Sequence, residues 1–319
     1  MGEAWLRQEK FYTIASMNAI EIKQLRKSYP GGVDALKGID LSIKKGEFFG
    51  LLGPNGAGKS TTIGILCSLI QKTSGSAKIF NHEVSDNPFE AKRHLGVVPQ
   101  EFNFNIFEPC SQIVINQGGY YGLKRAEAVK RAKVLFEQLG LEKKYNVPSM
   151  ALSGGMKRRL MIARSLIHQP DILILDEPTA GVDISLRRSM WTFLQEQNKQ
   201  GLTIILTTHY LEEAESLCEK IAIIDEGTII EQGRTAKLLE KLNVEAVILY
   251  CDPFTSAPKV KDIKVLKVDD TTLEVELTQS QTVSEVLDVL AKKGIRVNRF
   301  RNKANRLEEL FINLVSPEG

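Results

Sequence analysis

The sequence predicts an α/β fold: a mostly parallel core sheet, an antiparallel β region ahead of it, and a small separate α/β domain at the end. Three observations predict it. Short apolar strand patterns, "FFGLL", "ILIL" and "TIILTT", alternate with helix-length stretches, the order that builds a parallel sheet with ligand chemistry at the carboxyl ends of its strands. A glycine-rich loop joins the first of these strands to a helix-like segment. After "IAIIDEGTIIEQG" the pattern changes to short strands, a helix, a strand and a last helix.

Composition narrows the classes. A chain of 319 residues with 43% hydrophobic and 25% charged residues can bury a proper core without staples. A net charge of +3 gives no whole-chain argument for a nucleic-acid partner, and none is expected. The four cysteines, Cys67, Cys110, Cys218 and Cys251, stand far apart with no C-x-x-C pair, which argues against a zinc site or a disulfide framework and for a reducing cytosol. No secretion-signal order is found near Met1, and Gly2 lacks the Ser or Thr at position six that myristoylation needs. The longest uncharged run, residues 109–123, is too rich in Gln, Asn, Gly and Tyr for a membrane helix.

The elements follow in order. Residues 1–16 carry no pattern and are expected to be a loose N-terminal extension. From "AIEIKQLRKSY" to Ile43 the alternation suits antiparallel strands with a turn at residues 30–32, and "HLGVVPQ" is a further buried strand. Residues 111–141 read as helices, with Val129, Ala132, Leu135, Phe136 and Leu139 on one face. Across "LSGGMKRRLMIARSL" and the isoleucine that follows it, Met156, Leu160, Ala163 and Ile167 make a core face, while Lys157, Arg158 and Arg159 are expected on a solvated one. The same solvated reading applies to the basic stretch 299–306. The expected domains are 17–238 and 239–319.

The chemistry sits at the strand ends. "GPNGAGKST" (Gly53, Pro54, Asn55, Gly56, Ala57, Gly58, Lys59, Ser60 and Thr61) matches G-x-x-x-x-G-K-[ST] between a buried strand and a helix. Its glycines let successive N–H groups wrap a phosphate chain; Lys59 would reach the β- and γ-phosphates and Ser60 would give its hydroxyl to Mg²⁺. "ILILDEP" ends in Asp176, suited to the Mg²⁺ shell, and Glu177, suited to polarise an attacking water as general base. His209 ends "TIILTTH", where a γ-phosphate sensor would stand. These residues predict a nucleoside triphosphatase.

With Gln100 in "VVPQ", "LSGGM", and "AGVD" ending at Asp183, all in order, the chain resembles the ATP-binding cassette family over residues 18–236. "SYPGG", "PQEFNFN" and "LSGGMKRRLMIARSL" resemble the ATP-binding subunits that pair with ABC-2-type permeases in bacteria. The resemblance implies an ATPase with a helical signature subdomain that uses ATP and Mg²⁺ and forms a head-to-tail homodimer. In it, Ser153, Gly154 and Gly155 of one chain would close over ATP held by the other. It further implies that Tyr29 stacks on adenine, that Gln100 senses Mg²⁺ and the γ-phosphate, and that Asp183 lies at the dimer interface. The subunit would then sit on the cytoplasmic face of the membrane through its permease, for export rather than uptake. The C-terminal domain would serve dimerisation or regulation. The rival expectation is a soluble, non-transport ABC ATPase of DNA repair or translation, but the long coiled-coil insertion of the first kind and the second cassette of the other are not in this sequence.

Overall fold

The computed structural model describes residues 17–179, 183–240, 244–256, 258, 260, 263–278, 281–303 and 306–315. The stretch 1–16, and Ala180, Gly181 and Val182 of "AGVD", lie outside the described residues. β1 (Asn18–Tyr29) and β2 (Val33–Lys44) pair antiparallel through the turn at 30–32, where Gly31 and Gly32 take positive φ. β3 (Phe48–Leu52) runs into the glycine-rich loop and α1 (Lys59–Leu66), and β4 (Ser74–Ile79) and β5 (His82–Glu83) complete an antiparallel sheet ordered β2-β1-β4-β5. Leu36, Ile39, Leu41 and Ile43 of β2 share a core with Ile63 and Ile65 of α1 and Phe49 and Leu51 of β3. That shared core fixes the start of α1 against both sheets.

α2 (Pro88–Arg93) leads to β6 (Leu95–Val98), and α3 (Cys110–Tyr120), α4 (Arg125–Gln138) and α5 (Gly154–Leu166) follow before β7 (Ile172–Asp176). Then come α6 (Ile184–Lys199), β8 (Thr203–Thr208), α7 (Leu211–Leu217), β9 (Lys220–Asp225) and β10 (Thr228–Arg234). The core sheet runs β10-β9-β3-β8-β7-β6, and β9, β3, β8, β7 and β6 pair in parallel. β3 and β8 are buried at every residue, as a strand covered on both faces must be, which is why they read as unbroken apolar runs.

The chain divides into two compact units between Gln232 and Gly233. The second opens with α8 (Thr235–Leu239), a helix the sequence pattern does not predict; β11 (Val244–Cys251), β12 (Lys264–Lys267), β13 (Thr272–Thr278), α9 (Val283–Lys292), β14 (Val297–Asn302) and α10 (Arg306–Val315) then come in the expected order. Its sheet, ordered β12-β13-β11-β14, buries Val247, Leu249, Leu273 and Val275 against Val286 and Leu290 of α9. α9 opens with a capping box between Thr282 and Glu285, two otherwise orphaned donors satisfied reciprocally.

Just past α5, the His168 ring stacks on Tyr121, with centroids 3.6 Å apart and planes 9° from parallel. His168 Nε2 lies 3.0 Å from the Leu95 carbonyl oxygen, so the tautomer that donates there is the neutral one that fits, and Nδ1 is buried with no partner. Burial pulls its pKa down to about 4. An unfolded histidine takes its proton near pH 6.5. Unfolding therefore binds a proton between those values, and stability falls as pH drops through that window, at no more than about 1.4 kcal/mol per pH unit. Urea unfolding at pH 7.5 and pH 5 should show a larger loss for the wild type than for His168→Gln, whose amide can still donate to Leu95; equal losses would remove His168 as the cause.

Candidate functional site

The glycine-rich loop is closed by its own lysine. Lys59, only 6% exposed, donates from Nζ to the carbonyls of Gly53 (2.7 Å) and Pro54 (2.9 Å), leaving one N–H for a phosphate oxygen. Burial lowers its pKa, and the carboxylates of Glu177 and Asp176 work against that shift. Gly53 has no room for a side chain, since a Cβ would lie 2.2 Å from the Ile224 carbonyl oxygen. Gly56 and Gly58 take φ of 84° and 112°, and a Cβ on Gly56 would meet nothing within 4 Å, the open space a phosphate chain needs. Ser60 is exposed beside it. The half-buried Tyr29 ring reaches the loop's far end, its hydroxyl 3.4 Å from Thr61 Oγ1, with the Lys27 ammonium 4.8 Å from the ring centroid.

The carboxylates emerge from β7. Asp176 accepts a hydrogen bond from the Thr207 hydroxyl of β8. Glu177, 8% exposed, takes the left-handed backbone (φ 47°), which for a non-glycine residue costs about 1–3 kcal/mol. Its N–H donates to the Thr207 carbonyl at 2.9 Å, which holds that conformation in place. Gln100 Nε2 donates to Glu177 Oε2 at 3.1 Å, and His209 Nδ1 stands 3.0 Å from Oε1. A carboxylate held between an amide and an imidazole can orient a water and accept its proton. The structure thus gathers Lys59, Gln100, Asp176, Glu177 and His209 at one end of the sheet.

It places the signature elsewhere, at the start of α5. Ser153 caps that helix by accepting from the Met156 N–H at 3.3 Å; Ser153 and Gly154 are exposed, Gly155 is buried, and a Cβ on Gly154 would meet nothing within 4 Å. Asp183 likewise caps α6, accepting from the Leu186 N–H at 2.9 Å, and is exposed.

One expectation is corrected. Arg158 is 4% exposed, not solvated, and its guanidinium donates to the carbonyls of Pro99 (2.7 Å) and Gln100 (2.8 Å). Arg159 also turns inward, donating to the Leu139 carbonyl at 2.8 Å, and Lys157 is half-buried 6.0 Å from the Phe102 ring centroid. A planar fork meeting two successive carbonyls offsets the desolvation that lowers the Arg158 pKa, which the Asp176 and Glu177 carboxylates also oppose. The signal was available: Arg158 precedes the buried Met161 and Ile162 by three and four residues and so shares their face.

A phosphate loop, paired carboxylates and a histidine at one sheet end define a nucleoside triphosphatase. The ABC transporter family profile matches residues 36–180. The linearmycin resistance ATP-binding protein LnrL of Bacillus subtilis (strain 168) is 35% identical over 307 residues, covering 92% of this chain and 97% of that protein. The Nod factor export ATP-binding protein I of Ralstonia nicotianae is 40% identical over 240 residues, covering 75% and 74%. The dimeric post-hydrolysis structure of the cassette MJ0796 bound to ADP and Pi overlays with a TM-score of 0.63 at 29% identity, covering 68% of this chain and 98% of that one. The chain belongs to the ABC transporter family as an ATP-binding, ATP-hydrolysing subunit.

Because Arg158 alone spans two carbonyls of the Gln100 segment, Arg158→Lys should lower kcat for ATP by roughly tenfold while KM stays within about twofold, the mark of lost positioning. Steady-state hydrolysis by the purified chain measures this, and an unchanged kcat would show the clamp to be idle.

Proposed function

We propose that this ATPase subunit works as a head-to-tail homodimer around ATP and drives a separate ABC-2-type permease, for export. One observation carries the reading: a single chain holds both a hydrolytic cluster around Glu177 and, at Ser153 and Gly154, an exposed helix start suited to an anion. Two copies related by a two-fold axis would complete two identical sites. Lys59 and the N–H groups of residues 55–61 would hold the phosphates, Tyr29 would stack on adenine, and Asp183 would face the partner. The Ser60 hydroxyl, the Asp176 carboxylate and the Gln100 amide oxygen are hard oxygen donors that fit Mg²⁺, which when bound would neutralise phosphate charge. Glu177 takes a proton from the attacking water as its oxygen bonds to the γ-phosphorus and the bond to the bridging oxygen breaks. His209 steadies the γ-phosphate. Closure follows from contacts made only when the second chain's residues 153–155 arrive, and opening from their loss on hydrolysis.

Export is supported by what the relatives are named for, antibiotic resistance and Nod factor export. No helix among the described residues is long and apolar enough to cross a membrane. A permease surface is supported by the exposed Phe102, Ile106 and Phe107, which follow Gln100 in the chain, and by the exposed Met150, whose N–H donates to the Ile106 carbonyl at 2.8 Å. Through it the subunit would lie peripherally on the inner face of the membrane. The unit from Gly233 onward, which overlaps the expected 239–319 domain, carries no catalytic signature and is assigned to dimerisation or regulation.

Glu177→Gln should keep ATP binding, abolish turnover and trap a dimer visible by light scattering; normal turnover would end the general-base assignment, and a monomer in saturating Mg-ATP would end the dimer reading. Tagged chain recovered from host membranes in mild detergent should bring a multi-span protein with it. Recovery with ribosomes or DNA instead would replace the transport reading.

A further inference from the structure

Outside the cluster already described, α7 carries a carboxyl with no access to water. Glu213 is 0% exposed, and its Oε1 accepts from the Trp191 indole N–H of α6 at 3.0 Å. The hydroxyls of Thr208, which ends β8, and Thr179, two residues past Glu177, face the same carboxyl. Thr208 Oγ1 also accepts from the Tyr210 N–H at 2.9 Å, which ties it across His209. Glu213 Oε2 and Thr179 Oγ1 are both buried with no completed hydrogen bond. A proton on Oε2, donated to Thr179, would satisfy both atoms at once. Burial favours that neutral form by raising the Glu213 pKa, although Trp191, the two threonines and the Arg187 charge pull the other way. A second brace runs beside it: the Arg187 guanidinium of α6 lies 5.0 Å from the Tyr210 ring centroid, and Tyr210 and His209 rings are 4.1 Å apart.

We propose that Glu213 is a positioning residue for hydrolysis. Its buried carboxyl joins the segment after Glu177, the end of β8 before His209, and α6, and so fixes His209 against Glu177 whenever α6 moves. It touches neither nucleotide nor water. Its effect passes through Thr179 and Thr208, the neighbours of the two groups that do.

The inference rests on the reading of Glu177 and His209 as the hydrolytic pair. Four variants of the full chain separate the two ideas: Glu213→Gln, Glu213→Ala, Trp191→Phe and Glu177→Gln. Gln reproduces a neutral carboxyl, accepting from Trp191 through its oxygen and donating to Thr179 through its nitrogen. Glu213→Gln should therefore turn over ATP within about threefold of wild type, while Glu213→Ala and Trp191→Phe lose about tenfold or more in kcat with KM within about twofold. Trp191 also reports directly, because the sequence has only two tryptophans and Trp5→Phe leaves it alone. Its emission should shift on Mg-ATP addition in the Trp5→Phe background and not once Glu213→Ala is added. Should Glu213→Ala fail to fold, Glu213→Gln and Trp191→Phe decide the matter. Wild-type kcat in a folded Trp191→Phe or Glu213→Ala chain overturns the proposal, as does a Glu213→Gln chain as slow as Glu213→Ala. If Glu177→Gln is inactive and these variants are not, only the positioning role fails; if Glu177→Gln turns over normally, the hydrolytic pair itself fails and the proposal with it.

Discussion

Everything at the site depends on the register of four parallel strands. Leu52 of β3 lies opposite Thr208 of β8, Thr207 opposite Asp176 of β7, and Leu175 opposite Val98 of β6. The residues that follow, Gly53, His209, Glu177, and Pro99 with Gln100, therefore leave the sheet in one layer. A slip of one residue in β7 would send Glu177 to the other face, and a slip of two would displace it by about 6.6 Å along the strand. Both faces of β3 and β8 are closely packed, so either slip would push side chains out of the places they fill.

Within that frame, Lys59, Arg158 and Glu213 are held by neutral dipoles rather than by close ion pairs. Lys59 rests on two carbonyls of its own loop, Arg158 on two carbonyls of the Gln100 segment, and Glu213 on an indole and hydroxyls. Each is desolvated, and each shift follows: the cations are pulled down and the acid is pushed up. A close ion pair would lock such groups. Neutral dipoles as partners leave the Lys59 charge to interact with phosphates that arrive later, because its third donor is uncommitted.

The sheet, the turn at 30–32, the glycine loop and the second unit were all legible, because periodicity and glycine placement act locally and survive in one dimension. β3, β7 and β8 announced themselves as apolar runs, and Gly56 and Gly58 as positions needing positive φ. The placement of Asp176, Glu177 and His209 at strand ends was legible for the same reason, since each stands where an apolar run stops. What stayed hidden were polar residues turned inward. The charge of Arg158 points to a solvated face while its spacing to the buried Met161 and Ile162 points inward, and Glu213 shares a helical face with the buried Leu217 in the same way. Such residues take their partners from distant segments, here Pro99, Gln100 and Trp191, which no local pattern brings together.

The two exposed helix starts acquire a meaning from these inward links. α5 begins at the Ser153 cap and holds the Gln100 segment through Arg158, five residues or about 7.5 Å along a rigid helix. α6 begins at the Asp183 cap and holds Glu213 through Trp191, eight residues or about 12 Å along. In each case the cap and the buried link lie within two or three turns of one helix, so a rigid shift of that helix would carry both together. One link ends on the residue that donates to Glu177, the other beside Thr179 and Thr208. A surface that meets both caps at once would bear on Glu177 from two directions, through backbone carbonyls on one side and a buried carboxyl on the other. On the proposed reading of Glu177, occupancy at such a surface would reach the carboxylate by two short paths, with no need for a long chain of side-chain rearrangements between them.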